Sequence, residues 1–174
     1  MDNINLFFQI YNLNNHSILL DKLMLFGATY LIYTTILLMF VLAFEGKTRE
    51  RKAIILAVLA IPIAILLIKV IHIFINEPRP FVTYQFLPLA DNTPDASFPS
   101  RHATIASLIA FSYVYFKSKW STLFLIIMIW IGISRIYVGV HYPLDIIGGF
   151  LVGIGSLIIA KQIVSFLKVR FLPG

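Results

Sequence analysis

An all-helical bundle held in a lipid bilayer is the fold class this sequence predicts, and three observations predict it. Of 174 residues, 59% are hydrophobic and only 13% charged, and the mean hydropathy is +0.89. An average soluble domain carries about 25% charged residues. A domain this small could not hide so many apolar side chains inside itself, so lipid must cover the remainder. Second, the apolar residues gather into stretches close to the about 20 residues a helix needs to cross a hydrocarbon core of roughly 30 Å. Third, the polar and charged residues collect at the ends of those stretches. The reading is a single membrane domain over 1–174.

The elements follow in order. Residues 1–22 form an interfacial segment: Asn5 to Asn14 mixes apolar, aromatic and amide residues over too few positions to span, and such aromatic residues suit a headgroup layer. No basic n-region or small-residue cleavage site marks it as a signal peptide. Five spans then follow, over Met24 to Phe44, Ala53 to Asn76, His102 to Phe116, Ser121 to Val138 and Leu144 to Leu167. The third is short and needs Ser100 or snorkelling ends to reach across. Residues 77–101 form a long loop between spans two and three.

Orientation follows from lysine and arginine in the short connections, because basic loops stay cytoplasmic. Lys47, Arg49, Arg51, Lys52, Lys117, Lys119, Lys161, Lys168 and Arg170 place nine of the fourteen basic residues on one side. That side, with the C-terminus, is expected in the cytoplasm of a bacterial cell. The 77–101 loop, the turn at His141 and the N-terminus then face outward. The net charge of +6 is thereby divided between a cytoplasmic rim and an outer cluster, and no nucleic-acid partner is expected. The absence of cysteine removes disulfides and thiolate chemistry and leaves the compartment open.

The outer cluster carries the chemistry. Lys69, His72 and Asn76 share one helix face before Glu77-Pro78-Arg79-Pro80. Ser97-Phe98-Pro99-Ser100-Arg101-His102 opens span three, Ser134-Arg135 closes span four, and His141-Tyr142-Pro143-Leu144-Asp145 opens span five. Charged residues inside spans cost roughly 2.5–3.5 kcal/mol each on insertion scales, so they are rare without a partner or a task. Three fixed cations (Lys69, Arg79, Arg135), two or three histidines and one carboxylate suit a bound dianion, and phosphate fits the arginine fork. Helix starts at Ser100 and Pro143 add free N–H groups and positive dipole ends.

Phosphoryl transfer needs a nucleophile, a proton donor for the leaving oxygen and fixed positive charge for the equatorial oxygens. His141, with its far nitrogen held by Asp145 one turn on, is the best nucleophile. His102 is the best acid. Arg79, Arg135, Ser100 and Lys69 would hold phosphoryl oxygens, and one such donor is typically worth about 3–4 kcal/mol in the transition state. No metal set and no cofactor are expected; Asp91 and Asp95 read as turn formers.

These residues resemble the type 2 phosphatidic acid phosphatase superfamily of integral membrane phosphatases. Its blocks read K-x6-R-P, P-S-G-H and S-R-x5-H-x3-D, and the chain shows Arg79-Pro80, Pro99-Ser100-Arg101-His102, and Ser134-Arg135 followed by His141 and Asp145. The resemblance implies a phosphohistidine on His141 supported by Asp145, His102 as general acid, and Arg79, Ser100 and Arg135 on phosphate without metal. It covers essentially the whole chain and is nearest to the bacitracin-resistance type of undecaprenyl pyrophosphate phosphatases. Two positions depart from the pattern: His72 stands where the family has lysine, with Lys69 one turn deeper, and Arg101 stands where glycine is common.

The expected function is therefore hydrolysis of undecaprenyl diphosphate to the monophosphate at the outer face, with Arg101 a candidate contact for the second phosphate. Phosphatidylglycerophosphate or phosphatidic acid are the alternative substrates. A competing class is an anion or lipid transporter using Lys69, Arg79 and Arg135. Five spans without an internal repeat, and polar residues confined to one end, weigh against it. A buried ion network that only stabilises the bundle is a poor use of so many cations.

Overall fold

The computed structural model describes residues 2–45, 48–90 and 93–167; Lys47, Asp91, Lys168 and Arg170, on which parts of the sequence argument drew, lie outside them. Eight helices follow one another among the described residues: α1 Asn3–Tyr11, α2 Ile18–Thr29, α3 Leu31–Glu45, α4 Thr48–Phe74, α5 Pro80–Thr83, α6 Arg101–Tyr115, α7 Ser121–Tyr137 and α8 Pro143–Phe166. The molecule is an all-α membrane bundle. α4 and α8 are each long and apolar enough to cross a bilayer, α2 with α3 passes as a bent pair, and α7 is a shorter apolar helix.

The first expected span is two helices. α2 starts at Ile18, where Ser17 Oγ accepts from Leu20 N at 3.4 Å, and the axis turns by 58° before α3. No proline or glycine stands at Tyr30, so no local breaker announces the bend. Tertiary contacts accompany it instead. Gly27 lies against α7, where an added Cβ would meet Trp130 Nε1 at 2.9 Å. One residue on, the Ala28 carbonyl accepts from Arg135 Nη1 at 3.1 Å. The end of α2 thus serves a charged side chain that belongs to the site.

α6 explains its own shortness. Its 15 residues rise only about 22 Å at 1.5 Å per residue, less than the hydrocarbon thickness. It lies among α3, α4, α7 and α8, with Ala103, Ala106, Leu108, Ile109, Ala110 and Tyr113 all buried. Neighbouring helices cover most of its side chains. Two glycines bring α8 against it: a Cβ at Gly149 would meet the Ser100 carbonyl at 2.7 Å, and one at Gly153 the Thr104 carbonyl at 2.5 Å. Ser107 Oγ donates across the same seam to the Phe150 carbonyl at 3.2 Å. Small residues here let two backbones approach and fix α6 relative to α8.

The end of the bundle that carries the polar cluster is roofed. Ser97 N donates to the Glu77 carbonyl at 2.8 Å, Ser100 N to the Asp145 carbonyl at 3.0 Å and Leu89 N to the Val138 carbonyl at 3.0 Å. These bonds tie the 77–100 segment to the entry of α6 and to the α7–α8 turn. α1 lies at this same end, with Asn3 Oδ1 accepting from Leu144 N at 3.1 Å. Its Phe7 is fully buried in an aromatic group with Phe8, Tyr11, Phe86 and Tyr142. The amphipathic segment read from sequence therefore spends its best apolar side chain on the roof. Gly139 allows the tight α7–α8 turn beneath, at φ +87°.

Candidate active site

Three segments far apart in sequence supply one cavity of about 250 Å³, lined by Arg79, Thr93, Asp95, Arg101, His102, Arg135 and His141. Arg79 precedes α5, Arg101 and His102 form the first turn of α6, Arg135 is in the last turn of α7, and His141 stands just before α8. Five of the expected residues are thus brought together. The side chains of Arg79, Ser100, Arg135, His141 and Asp145 are all buried, whereas Arg101 is exposed and His102 half-buried.

His141 is 2% exposed. Its Nδ1 lies 3.4 Å from Asp145 Oδ2 and 3.5 Å from Ser97 Oγ, which leaves Nε2 for chemistry. Burial holds the imidazole well below its usual pKa, and the guanidinium groups of Arg135 and Arg79 push the same way, against an opposing hydrogen bond with the Ser97 backbone. A ring kept neutral at physiological pH has a lone pair to offer.

Asp145 occupies the first turn of α8. Its Oδ2 accepts from Ser97 Oγ at 2.5 Å and from Tyr142 N at 2.7 Å. The second bond is the helix-start bond expected of a carboxylate at this position. The first is not expected from the sequence, which assigns Ser97 no role. A serine five residues before a histidine gives no local signal, because its partner lies 48 residues further along the chain. Asp145 and Ser97 therefore stand together beside Nδ1 of His141.

Ser100 holds the N-cap position of α6 without capping it. Its Oγ is buried and makes no hydrogen bond. A buried hydroxyl left without a partner costs about 1–3 kcal/mol, which a ligand oxygen would restore. Asp95, expected as a turn former, instead faces two arginines: Arg79 Nη2 at 2.5 Å and Arg101 Nη2. One carboxylate thus bridges two guanidinium groups, as an anionic ligand would. Glu77, just beyond the end of α4, has its carboxyl pushed up by burial and by Asp145.

Lys69 is not at this cavity. It is exposed and lines a separate groove of about 200 Å³ between α4 and α6, together with His72 and Arg101. The cations at the main cavity are Arg79, Arg101 and Arg135.

A helical membrane bundle with two imidazoles and three arginines around one cavity has the make-up of an integral-membrane phosphatase. The chain belongs to the PAP2 superfamily, whose model matches residues 51–168. It is 32% identical to the undecaprenyl-diphosphatase BcrC of Bacillus subtilis, over 97% of this chain and 83% of that protein. It is 34% identical to the Bacillus licheniformis protein named bacitracin transport permease protein BcrC, over 88% of this chain and 76% of that one. The crystal structure of Aquifex aeolicus LpxE superposes with a TM-score of 0.67 at 28% identity, covering 92% of this chain and 94% of that chain.

Proposed function

We propose that the protein hydrolyses undecaprenyl diphosphate to undecaprenyl phosphate and inorganic phosphate, with its cavity at the outer face of a bacterial membrane. The observation that carries the reading is the meeting of His102, His141, Arg79 and Arg135 on one cavity, with His141 held neutral. The near full-length similarity to a protein named undecaprenyl-diphosphatase supports the substrate. The distribution of basic residues supports the sidedness.

In this mechanism the terminal phosphoryl group enters among Arg79, Arg135 and Ser100, which hold its equatorial oxygens. His141 Nε2 attacks the phosphorus, the bond to the bridging oxygen breaks, and His102 delivers a proton to the departing lipid monophosphate. Asp145 and Ser97 hold Nδ1 of the imidazole as it becomes a cationic phosphohistidine. Water then attacks that phosphorus, gives its proton to His102, and the N–P bond breaks to release phosphate and restore both histidines.

The deciding assay is phosphate release in detergent from undecaprenyl diphosphate and from phosphatidylglycerophosphate, by wild type and by His141→Ala. The expected result is preferential release from the diphosphate, abolished by the substitution. No release from the diphosphate alongside brisk hydrolysis of phosphatidylglycerophosphate would overturn the substrate. Release that survives His141→Ala would overturn the nucleophile.

A further inference from the structure

We infer that the groove between α4 and α6 is a second-phosphate and prenyl-chain subsite, in which Lys69, His72 and Arg101 grip the lipid-side phosphate of a diphosphate. This deepens the reading above and rests on it.

The groove has two chemistries. Ile61, Ile65 and Ile68 of α4 line it with Ile105 and Leu108 of α6, and Lys69, His72 and Arg101, with Thr104, supply the polar part of its lining. Lys69 and His72 are one helical turn apart and lie toward the end of α4 that leads to Glu77. An apolar trough with cations at its site end matches a chain-bearing anion in both shape and charge. A neutral lipid would leave those cations unused, and a free inorganic anion would leave the trough empty.

Continuity with the catalytic cavity sets the register. Among the described residues, Arg101 lines both spaces and no other does. The Asp95 carboxylate already bridges Arg101 to Arg79, so anionic oxygens fit between a cation of the cavity and the cation shared with the groove. A diphosphate with its terminal phosphoryl at His141 would place its other phosphate at Arg101, taking the position of the carboxylate, and would lead its chain away between α4 and α6. A second observation concerns His72: its Nε2 is buried and meets no hydrogen-bond partner. Such a nitrogen beside an apolar trough calls for a ligand oxygen.

The subsite also accounts for both departures from the family pattern. His72 stands in the lysine position and Arg101 in the glycine position, and both fall in this groove. The cation missing from the first block is replaced by an arginine from the second, on the side of the cavity where a monophosphate ester has no charge to meet.

The test compares kcat/KM for farnesyl diphosphate and farnesyl monophosphate across wild type, His72→Ala, Lys69→Ala and their double variant. Loss of a charge-assisted contact is expected to lower the diphosphate-to-monophosphate ratio about tenfold, mainly through KM. His72→Lys, which keeps a donor, should hold the ratio near wild type. A ratio that stays within twofold of wild type in the double variant overturns the subsite, whether both activities fall together or neither does. For a variant with too little turnover to measure, binding of a methylene-bridged farnesyl bisphosphonate against farnesyl phosphonate decides by the same ratio. Absence of any diphosphate hydrolysis by wild type would instead count against the proposed function, and the bisphosphonate binding ratio would still judge the subsite.

Discussion

Ser97→Ala probes the part of the site that sequence gave no reason to assign. The hydroxyl is buried, donates to Asp145 Oδ2 at 2.5 Å and lies 3.5 Å from His141 Nδ1. A hydrogen bond to a charged group is worth about 1.5–3 kcal/mol, which is about 10- to 150-fold in rate if all of it serves the transition state. Asp145 keeps its bond from Tyr142 N at 2.7 Å, so the carboxylate is not set loose. The expected loss is therefore about 10- to 30-fold in kcat. KM should change by less than about twofold, because Ser97 touches Asp145 and the imidazole and not the substrate, and what it adds grows only as the imidazole becomes cationic. The assay is steady-state phosphate release in detergent, with thermal melting of the same preparation to establish that the bundle remains folded. A kcat within twofold of wild type in a folded variant refutes the positioning role. A raised KM at unchanged kcat refutes it too, since that outcome would make Ser97 a binding residue.

Further outcomes follow from the electrostatics and from the helix seam. Protonation would silence His141 as the proposed nucleophile, so activity should fall as pH drops through its lowered pKa, and the acid limb of the rate profile should lie below pH 6.5. Arg135→Gln removes the largest charge acting on that ring; the residual activity should show the acid limb displaced to higher pH, and an unmoved limb on the free enzyme would refute the assignment of that limb to His141. Gly149→Ala should cost about 1–3 kcal/mol by pressing on the Ser100 and Thr104 backbones, lowering the melting temperature together with kcat. Gly155→Ala, which meets nothing within 4 Å, should leave both near wild type, and equal effects of the two substitutions would sink the close-packing argument.

Much of the bundle was legible along the chain because membrane helices announce themselves by composition. The starts of α6, α7 and α8 fall within a residue of the expected spans, since Pro99-Ser100, Ser121 and Pro143 are local punctuation. The bend between α2 and α3 was not legible: its visible partners are Trp130, Ser134 and Arg135 on α7, and hydropathy counts residues without knowing their neighbours. The buried place of α6 was hidden for the same reason. Its length alone made it look like a deficient span, whereas its surroundings make it the middle of the bundle.

The site divides in the same way. Residue types and spacing by themselves named Arg79, His102, Arg135, His141 and Asp145, because phosphate chemistry restricts which side chains can serve and because charge inside an apolar chain is conspicuous. Only the folded chain decided that Lys69 lines a neighbouring groove, that Asp95 bridges Arg79 and Arg101, and that Ser97 sits against Asp145. Composition records what burial would cost a side chain, and that is written in the sequence. Which partner offsets the cost is fixed by distances between segments dozens of residues apart, and those distances exist only once the helices have packed.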